Sequence, residues 1–220
     1  ADTIGISTDE TWKIKKHPAY VATDKNDPPT NFRLAEPNLY FEAAKDIGEW
    51  YQPGYDTSGW DSADVIGSST WGTLKKRIIP QLKIYGLKDY VNSCEYEGST
   101  TTEDTILPMK LPYNAQLTPY LEVTADAGKK ITIKTDNYDT GMFDEKCAMA
   151  AYYTKRGMQK YESLGWINGE IVYYFIPSGV TVHSLKYRET GYDTEFSGSF
   201  ECSDEFLNTL WQKSLRTLYV

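Results

Sequence analysis

Leu117-Thr118-Pro119-Tyr120-Leu121-Glu122-Val123-Thr124-Ala125-Asp126-Ala127-Gly128-Lys129-Lys130-Ile131-Thr132-Ile133 is the stretch that decides the fold class. Leu121 and Val123 alternate with polar neighbours, and so do Ile131 and Ile133, which is the period of two strands that each bury one face. Asp126-Ala127-Gly128-Lys129 has turn composition, and its place between them predicts a hairpin of two antiparallel strands. Outward from this unit, strands are predicted over Ala148 to Thr154, Ile171 to Ile176, Thr181 to Arg188 and Glu195 to Glu201. Short runs separated by turn residues at this spacing point to an antiparallel β-sandwich. Asn168-Gly169 tolerates φ > 0 at both positions and predicts a type I′ turn, with Trp166 and Asn168 beside the sandwich rim.

Towards the N-terminus the signal weakens. Pro18, Pro28, Pro29, Pro37, Pro53 and Pro80 break the first ninety residues, so short strands on long connections are expected there. Towards the C-terminus the period changes to that of a helix. Ser203 or Asp204 can cap it, Glu205 complements the positive end of the dipole, and Phe206, Leu207, Leu210, Trp211, Leu215 and Leu218 share one broad face. No Gly or Pro stop follows Tyr219-Val220, and a sandwich offers no obvious partner for so wide a stripe. The expectation is a chain cut inside or just after the first helix of a further, helical domain.

Composition narrows the function. Eighteen Tyr, six Trp and seven Phe beside 26 Gly and Pro residues favour strands joined by tight turns. A net charge of −8 argues against a nucleic-acid partner, whose phosphates need clustered Lys and Arg. Lys75-Lys76-Arg77 reads as a solvated run. No apolar run reaches the ~18 residues of a membrane span. Cys94, Cys147 and Cys202 form no C-x-x-C pair, so they make neither a zinc knuckle nor a disulfide scaffold, and at least one thiol stays free or pairs between chains.

Catalytic chemistry is hard to find. His17 and His183 have no second ligand at metal spacing, and the glycine-rich and nucleophile-elbow motifs of nucleotide enzymes and serine hydrolases are missing. No cofactor is implied, and no acidic run has the ligand spacing of a calcium loop. Glycoside hydrolysis needs two carboxylates about 5–9.5 Å apart. Asp193 and Glu195 would lie on one face of a strand at about that separation, although such pairs more often form a solvated edge. Asp144-Glu145 and Asp204-Glu205 are weaker, since neighbours in a strand point apart and the latter pair has a capping role. Trp50, Trp60, Trp71 and Trp166 lie beside Gly or Asn and could stack on a sugar ring or simply anchor loops. The carbohydrate-binding candidates are Trp166, Asn168 and Trp60, with no catalytic or metal-binding residue assigned.

Two ordered blocks resemble a known family. Ser7-Thr8-Asp9-Glu10-Thr11-Trp12-Lys13, Asn38 to Trp50 and Pro53 to Trp60 are similar to the first β-domain and its junction in bacterial α-L-rhamnosidases of glycoside hydrolase family 78. Trp166 to Pro177, Leu185 to Tyr192 and Gly198 to Trp211 resemble the strand and linker that lead into that family's (α/α)6 barrel. The resemblance implies three parts: 1–80 as the end of a galactose-binding-like jelly roll and its connection, 81–202 as an antiparallel β-sandwich, and 203–220 as the first helix of a truncated (α/α)6 catalytic domain. It implies inverting removal of terminal α-L-rhamnose from glycosides or polysaccharides, and a periplasmic or extracellular location. The partners it implies are a rhamnose-containing glycoside and the helical barrel of the same protein. The family's acid and base belong to the barrel, so no catalytic role carries over to any residue here. The alternative is a stand-alone carbohydrate-binding or cell-surface β-sandwich. The helix discriminates, because a stand-alone module would bury its apolar face.

Overall fold

A computed structural model describes residues 8–22, 38–67, 72–73, 75–83, 85–136 and 149–219. The elements are β1 (Lys13–Ile14), β2 (Tyr20–Val21), β3 (Leu39–Glu42), β4 (Asp61–Ser62), β5 (Leu87–Asp89), β6 (Thr105–Ala125), β7 (Lys130–Thr135), β8 (Ala150–Tyr153), β9 (Gly157–Glu162), β10 (Ile167–Ile176), β11 (Thr181–Glu189) and α1 (Glu205–Tyr219). Among the described residues the chain is mostly β with one α-helix, at the C-terminal end, as the alternation predicts. Strands β1 and β4 form a small antiparallel sheet, and the other nine form one large sheet in the order β2-β3-β8-β7-β10-β6-β11-β5, with β9 paired to β6. The pairing is antiparallel except between β3 and β8, which run parallel, so the sheet is mixed. It takes strands from both sides of residue 80.

The 21-residue β6 organises this sheet. Its first half pairs with β10, and its second half lies between β11 and β9. Tyr174 of β10 is in register with Leu107 of β6, yet its hydroxyl donates towards the carbonyls of Tyr120, 3.1 Å away, and Lys186, 3.3 Å away. One strand can meet Tyr174 at both residues only by folding back, which brings its two halves face to face. Leu107, Met109, Leu117, Leu121 and Val123 of β6 are buried there with Ile131 and Ile133 of β7, Val172 and Ile176 of β10 and Leu185 of β11. At one end Phe41 of β3 packs on Tyr152 of β8, which stacks at 4.6 Å on Tyr161 of β9.

A phenol has a single proton. Tyr174 gives its own to the carbonyls and accepts one from Tyr90, 2.9 Å away, so two hydroxyls and two carbonyls of the core are satisfied together. Burial pushes both phenols well above their ordinary value. Tyr174→Phe is expected to leave the Tyr90 hydroxyl and a carbonyl unpaired at a cost of about 1–3 kcal/mol in urea denaturation. Loss of less than about 0.5 kcal/mol would mean the network contributes no net stability.

Three sequence expectations change. The turn at Asp126 to Lys129 forms, with Gly128 at φ 82°, but β6 and β7 do not pair with each other. Gly128 N–H donates to Thr154 O and Lys129 N–H to Thr154 Oγ1, so the turn carries the chain from one layer to the other. Alternation reports which face is buried, and both strands face the same core from opposite sides. Asn168-Gly169 is no turn: Ile167, Asn168 and Gly169 pair with Leu117, Gln116 and Ala115 inside β10. Glu195 to Glu201 forms no strand and lies exposed. Ala148, at the start of another predicted strand, lies outside the described residues, and β8 runs from Ala150.

Asp204 is the residue that caps α1, its Oδ1 accepting the Phe206 N–H at 2.9 Å. Asn208 reaches back and exchanges two hydrogen bonds with the backbone of Cys202, fixing the approach to the helix. No residue of α1 is buried, and Phe206, Leu207, Leu210 and Leu218 are exposed. Cys94 and Cys202 are free thiols, and Cys147 lies outside the described residues. No helix among the described residues is long and apolar enough to cross a membrane.

Candidate functional site

The register of β6 against β10 breaks at one place. Leu111 to Asn114 of β6 face only Glu170 of β10, and Pro112, which has no N–H for a ladder, lies within that excursion. The opposite irregularity in β10 is held from β7. Asp136 Oδ1 accepts the N–H groups of Glu170 at 2.9 Å and Ile171 at 3.1 Å, and Thr135 Oγ1 donates to Asn168 O at 2.6 Å. Gly169 is needed here for space. A Cβ on it would run into Asp136 Oδ1 and stand 2.7 Å from Thr135 Cβ.

Helix α1 closes the other side. Arg216 donates from Nε to Asn114 O at 2.9 Å, pairs through Nη1 with Glu189 Oε1 at 2.6 Å, and lies 4.0 Å over the Tyr113 ring. Glu189 ends β11 in its inward phase and is only 3% exposed. Its other oxygen accepts from Lys88 Nζ at 2.6 Å and Tyr113 Oη at 3.1 Å. Burial draws the Glu189 carboxyl upward, but the hydrogen bonds and charges of Lys88 and Arg216 outweigh it and hold the group below its ordinary value. Tyr219 completes the docking by bonding the Tyr85 hydroxyl and the Tyr192 carbonyl. Gly191 makes room for that ring, since a Cβ there would stand 2.5 Å from Tyr219 Oη.

Between strands and helix lies a cleft of about 580 Å³ lined by Pro112, Tyr113, Asn114, Asn168, Glu170, Lys213, Arg216 and Thr217. Its volume falls within the about 300–1,000 Å³ typical of small-ligand sites. Asn168 is therefore the one sequence candidate that lines the cleft. Trp166, half-buried two residues earlier, is not part of its lining. Trp60 belongs to a separate aromatic group with Trp50 and Tyr55, in a loop held by Asp46 and Asp56, which accept the Gly48 and Ser58 N–H groups. Trp71 and Asp144-Glu145 lie outside the described residues.

Asp193 and Glu195 lose the geometric argument that linked them. They occupy irregular, exposed chain, and Asp193 Oδ1 stands 3.9 Å from Lys83 Nζ. Glu189, Lys88, Arg216 and Tyr113 are the residues that sequence reasoning passed over. Their one legible trace is an acidic side chain in step with buried Leu185 and Tyr187, where an apolar residue is expected.

No protein-family description and no curated protein matches this sequence. Solved structures do resemble it. One is the crystal structure of a GH78 family rhamnosidase of Bacillus sp. GL1, at 23% identity and TM-score 0.45, covering 51% of this chain and 12% of that one. Another is a rhamnosidase from Klebsiella oxytoca with rhamnose bound, at 6% identity and TM-score 0.51, covering 63% of this chain and 35% of that one. The chain thus corresponds to 12% and 35% of the lengths of these two structures. At 6% identity the second likeness is one of fold, so the β-fold of this chain is one that also occurs within a rhamnosidase.

Proposed function

We propose that this chain is a non-catalytic β-segment of a family 78-type glycoside hydrolase that removes terminal α-L-rhamnose by inversion, with α1 opening the helical (α/α)6 catalytic domain. On this reading 203–220 begins the barrel, in a protein of the periplasm or cell exterior. The observation that carries the reading is the structural use of the second family-like block. Glu189 and Gly191 receive the helix, Asp204 caps it and Asn208 ties it to Cys202. The block therefore joins a sheet to a helix in a fixed orientation, which is what a junction between two domains requires.

The apolar side of α1 supports the same reading against a stand-alone module. Phe206, 71% exposed, and Leu218, 75% exposed, would be costly on a free surface and fit a helix that packs into a layer of others. The test is hydrolysis of an aryl α-L-rhamnoside by this chain and by the chain extended through a following helical domain. The extended protein is expected to turn over and the isolated chain to be inert. Turnover by the isolated chain would end the reading, and so would an extended protein that cleaves only other glycosides.

A further inference from the structure

We propose that the stretch 46–64, which runs from the end of β3 into β4, docks a basic segment of another protein, with Lys or Arg side chains laid over its aromatic rings. Four rings form a contiguous group there. Trp50 lies 6.0 Å from Tyr51 and 6.5 Å from Trp60, and Trp60 lies 6.0 Å from Tyr55. The group does not serve as core, since Trp50 is 46% exposed and Tyr51 65%. Adjoining apolar rings left open in this way mark a surface that meets a partner. The two indoles are inclined by 48° rather than stacked, so their planes diverge as walls between which a side chain fits.

Charge decides which partner. Between Lys45 and Lys75 the sequence has no Lys, Arg or His but five acidic residues, Asp46, Glu49, Asp56, Asp61 and Asp64, all exposed. Glu49, Asp56 and Asp61 directly adjoin Trp50, Tyr55 and Trp60 in the chain. Asp46 has His17 at 3.7 Å, and the other four form no ion pair among the described residues. Lys13, which the small sheet brings alongside, donates to Ser62 Oγ at 3.0 Å, and Lys45 turns to Glu42 at 2.6 Å. A ring face beside a carboxylate attracts a cation twice, through the ring quadrupole and through the charge. Elsewhere the chain meets that need itself: Lys130 lies 4.9 Å over Tyr40, Lys134 5.5 Å over Phe175 and Arg216 4.0 Å over Tyr113. Trp50, Tyr51, Tyr55 and Trp60 carry no cation among the described residues. An apolar partner would cover the carboxylates without pairing them, and an acidic one would be repelled. The carboxylates are spread along the whole stretch, so several basic side chains on an extended segment match them better than one small ammonium does. Arginine suits the site best, because its planar guanidinium stacks on rings and forks to carboxylates.

The probe is an acetylated, amidated tetra-arginine peptide, titrated into this chain at physiological ionic strength and followed by indole and amide shifts in nitrogen-labelled NMR. Its neutral match is the citrulline tetramer, in which urea replaces guanidinium, and tetramethylammonium serves as the single cation. Saturable shifts are expected at the Trp50 and Trp60 indole N–H groups. Affinity should fall about three- to fivefold in Trp50→Leu, which keeps the charge and removes the ring, and be kept in Trp50→Tyr. It should fall at least as much in the double variant Glu49→Gln, Asp61→Asn, and stay unchanged in Glu170→Gln, a loss of charge on β10. Absence of saturable binding overturns the proposal, and so does equal binding of the citrulline tetramer. An unaltered affinity in Trp50→Leu would reduce the effect to attraction by a chain of net charge −8 and overturn it too. Tetramethylammonium bound as tightly as the peptide would make this a one-cation site, and indoles shifted by methyl α-L-rhamnopyranoside would make it a sugar platform; either result ends the docking proposal. None of these titrations depends on the rhamnosidase reading, which stands or falls on hydrolysis.

Discussion

Replacing Glu189 by alanine is expected to release α1 from the sheet and lower stability by about 3 kcal/mol. The carboxylate is 3% exposed and is shared by Lys88, Arg216 and Tyr113, so its loss leaves two cations facing each other with no counter-charge. Breaking a buried ion pair by removing one partner costs about 3–5 kcal/mol. Lys88 is 39% exposed and recovers part of its hydration, which places the expected value at the low end. Urea denaturation gives the size of the loss, and amide exchange gives its location, with protection disappearing first over 205–219. Retained protection in the helix would show that Tyr219 and the Arg216 bond to Asn114 hold it without the carboxylate.

The same residue sets a pH dependence. Glu189 titrates below its ordinary value of 4.5 in the folded protein, so the unfolded chain binds its proton first. Its contribution is fully present above that ordinary value and is lost as pH falls through the folded one. Acid should therefore narrow the stability gap between the native chain and Glu189→Ala, which already lacks the contribution. A gap that stays constant down to the acid transition would mean the carboxylate is not the titrating group.

Strand identity was legible where one face is buried, and what those strands pair with was not. Leu121, Val123, Ile131 and Ile133 announce their burial by alternation, but alternation is the same for a hairpin and for two strands facing across a core. The first half of β6 was missed because Pro108 and Pro112 argue against a strand; Pro112 falls in the excursion where β6 leaves the regular ladder, while Pro108 stays in register with Tyr173 and its carbonyl accepts from the Asn92 amide. In α1 the cap and the apolar stripe were both readable, whereas its docking was not, because it depends on Arg216 and Tyr219 meeting Glu189, Tyr85 and Tyr192, all distant in sequence. Asn168 entered the candidate site for a turn that does not form. It lines the cleft because β10 is irregular beside it, so the residue was found through a wrong local argument.

Gly169→Val is expected to be among the most damaging single changes in the sheet, and the contrast with Gly191→Ala explains why. Both glycines sit where a Cβ meets another group, and neither has a positive φ, so space alone decides the outcome. At Gly191 the obstacle is the tip of Tyr219, which can swing away and leave β11 intact. At Gly169 the obstacles are Thr135, fully buried in β7, and the Asp136 oxygen that holds the Glu170 and Ile171 N–H groups. Moving Thr135 disturbs its bond to Asn168 O, and moving Asp136 frees two amides. Overpacking of about 1–3 kcal/mol then adds to the loss of three hydrogen bonds worth about 1 kcal/mol each, for a total of about 4–6 kcal/mol. Gly191→Ala should cost about 1 kcal/mol and loosen only the last turn of α1. The two variants are compared by urea denaturation, with amide shifts of Glu170 and Ile171 as the local readout. Equal losses, or Glu170 and Ile171 amides unmoved in Gly169→Val, would show that the strand yields elsewhere and that Asp136 does not hold the cleft wall.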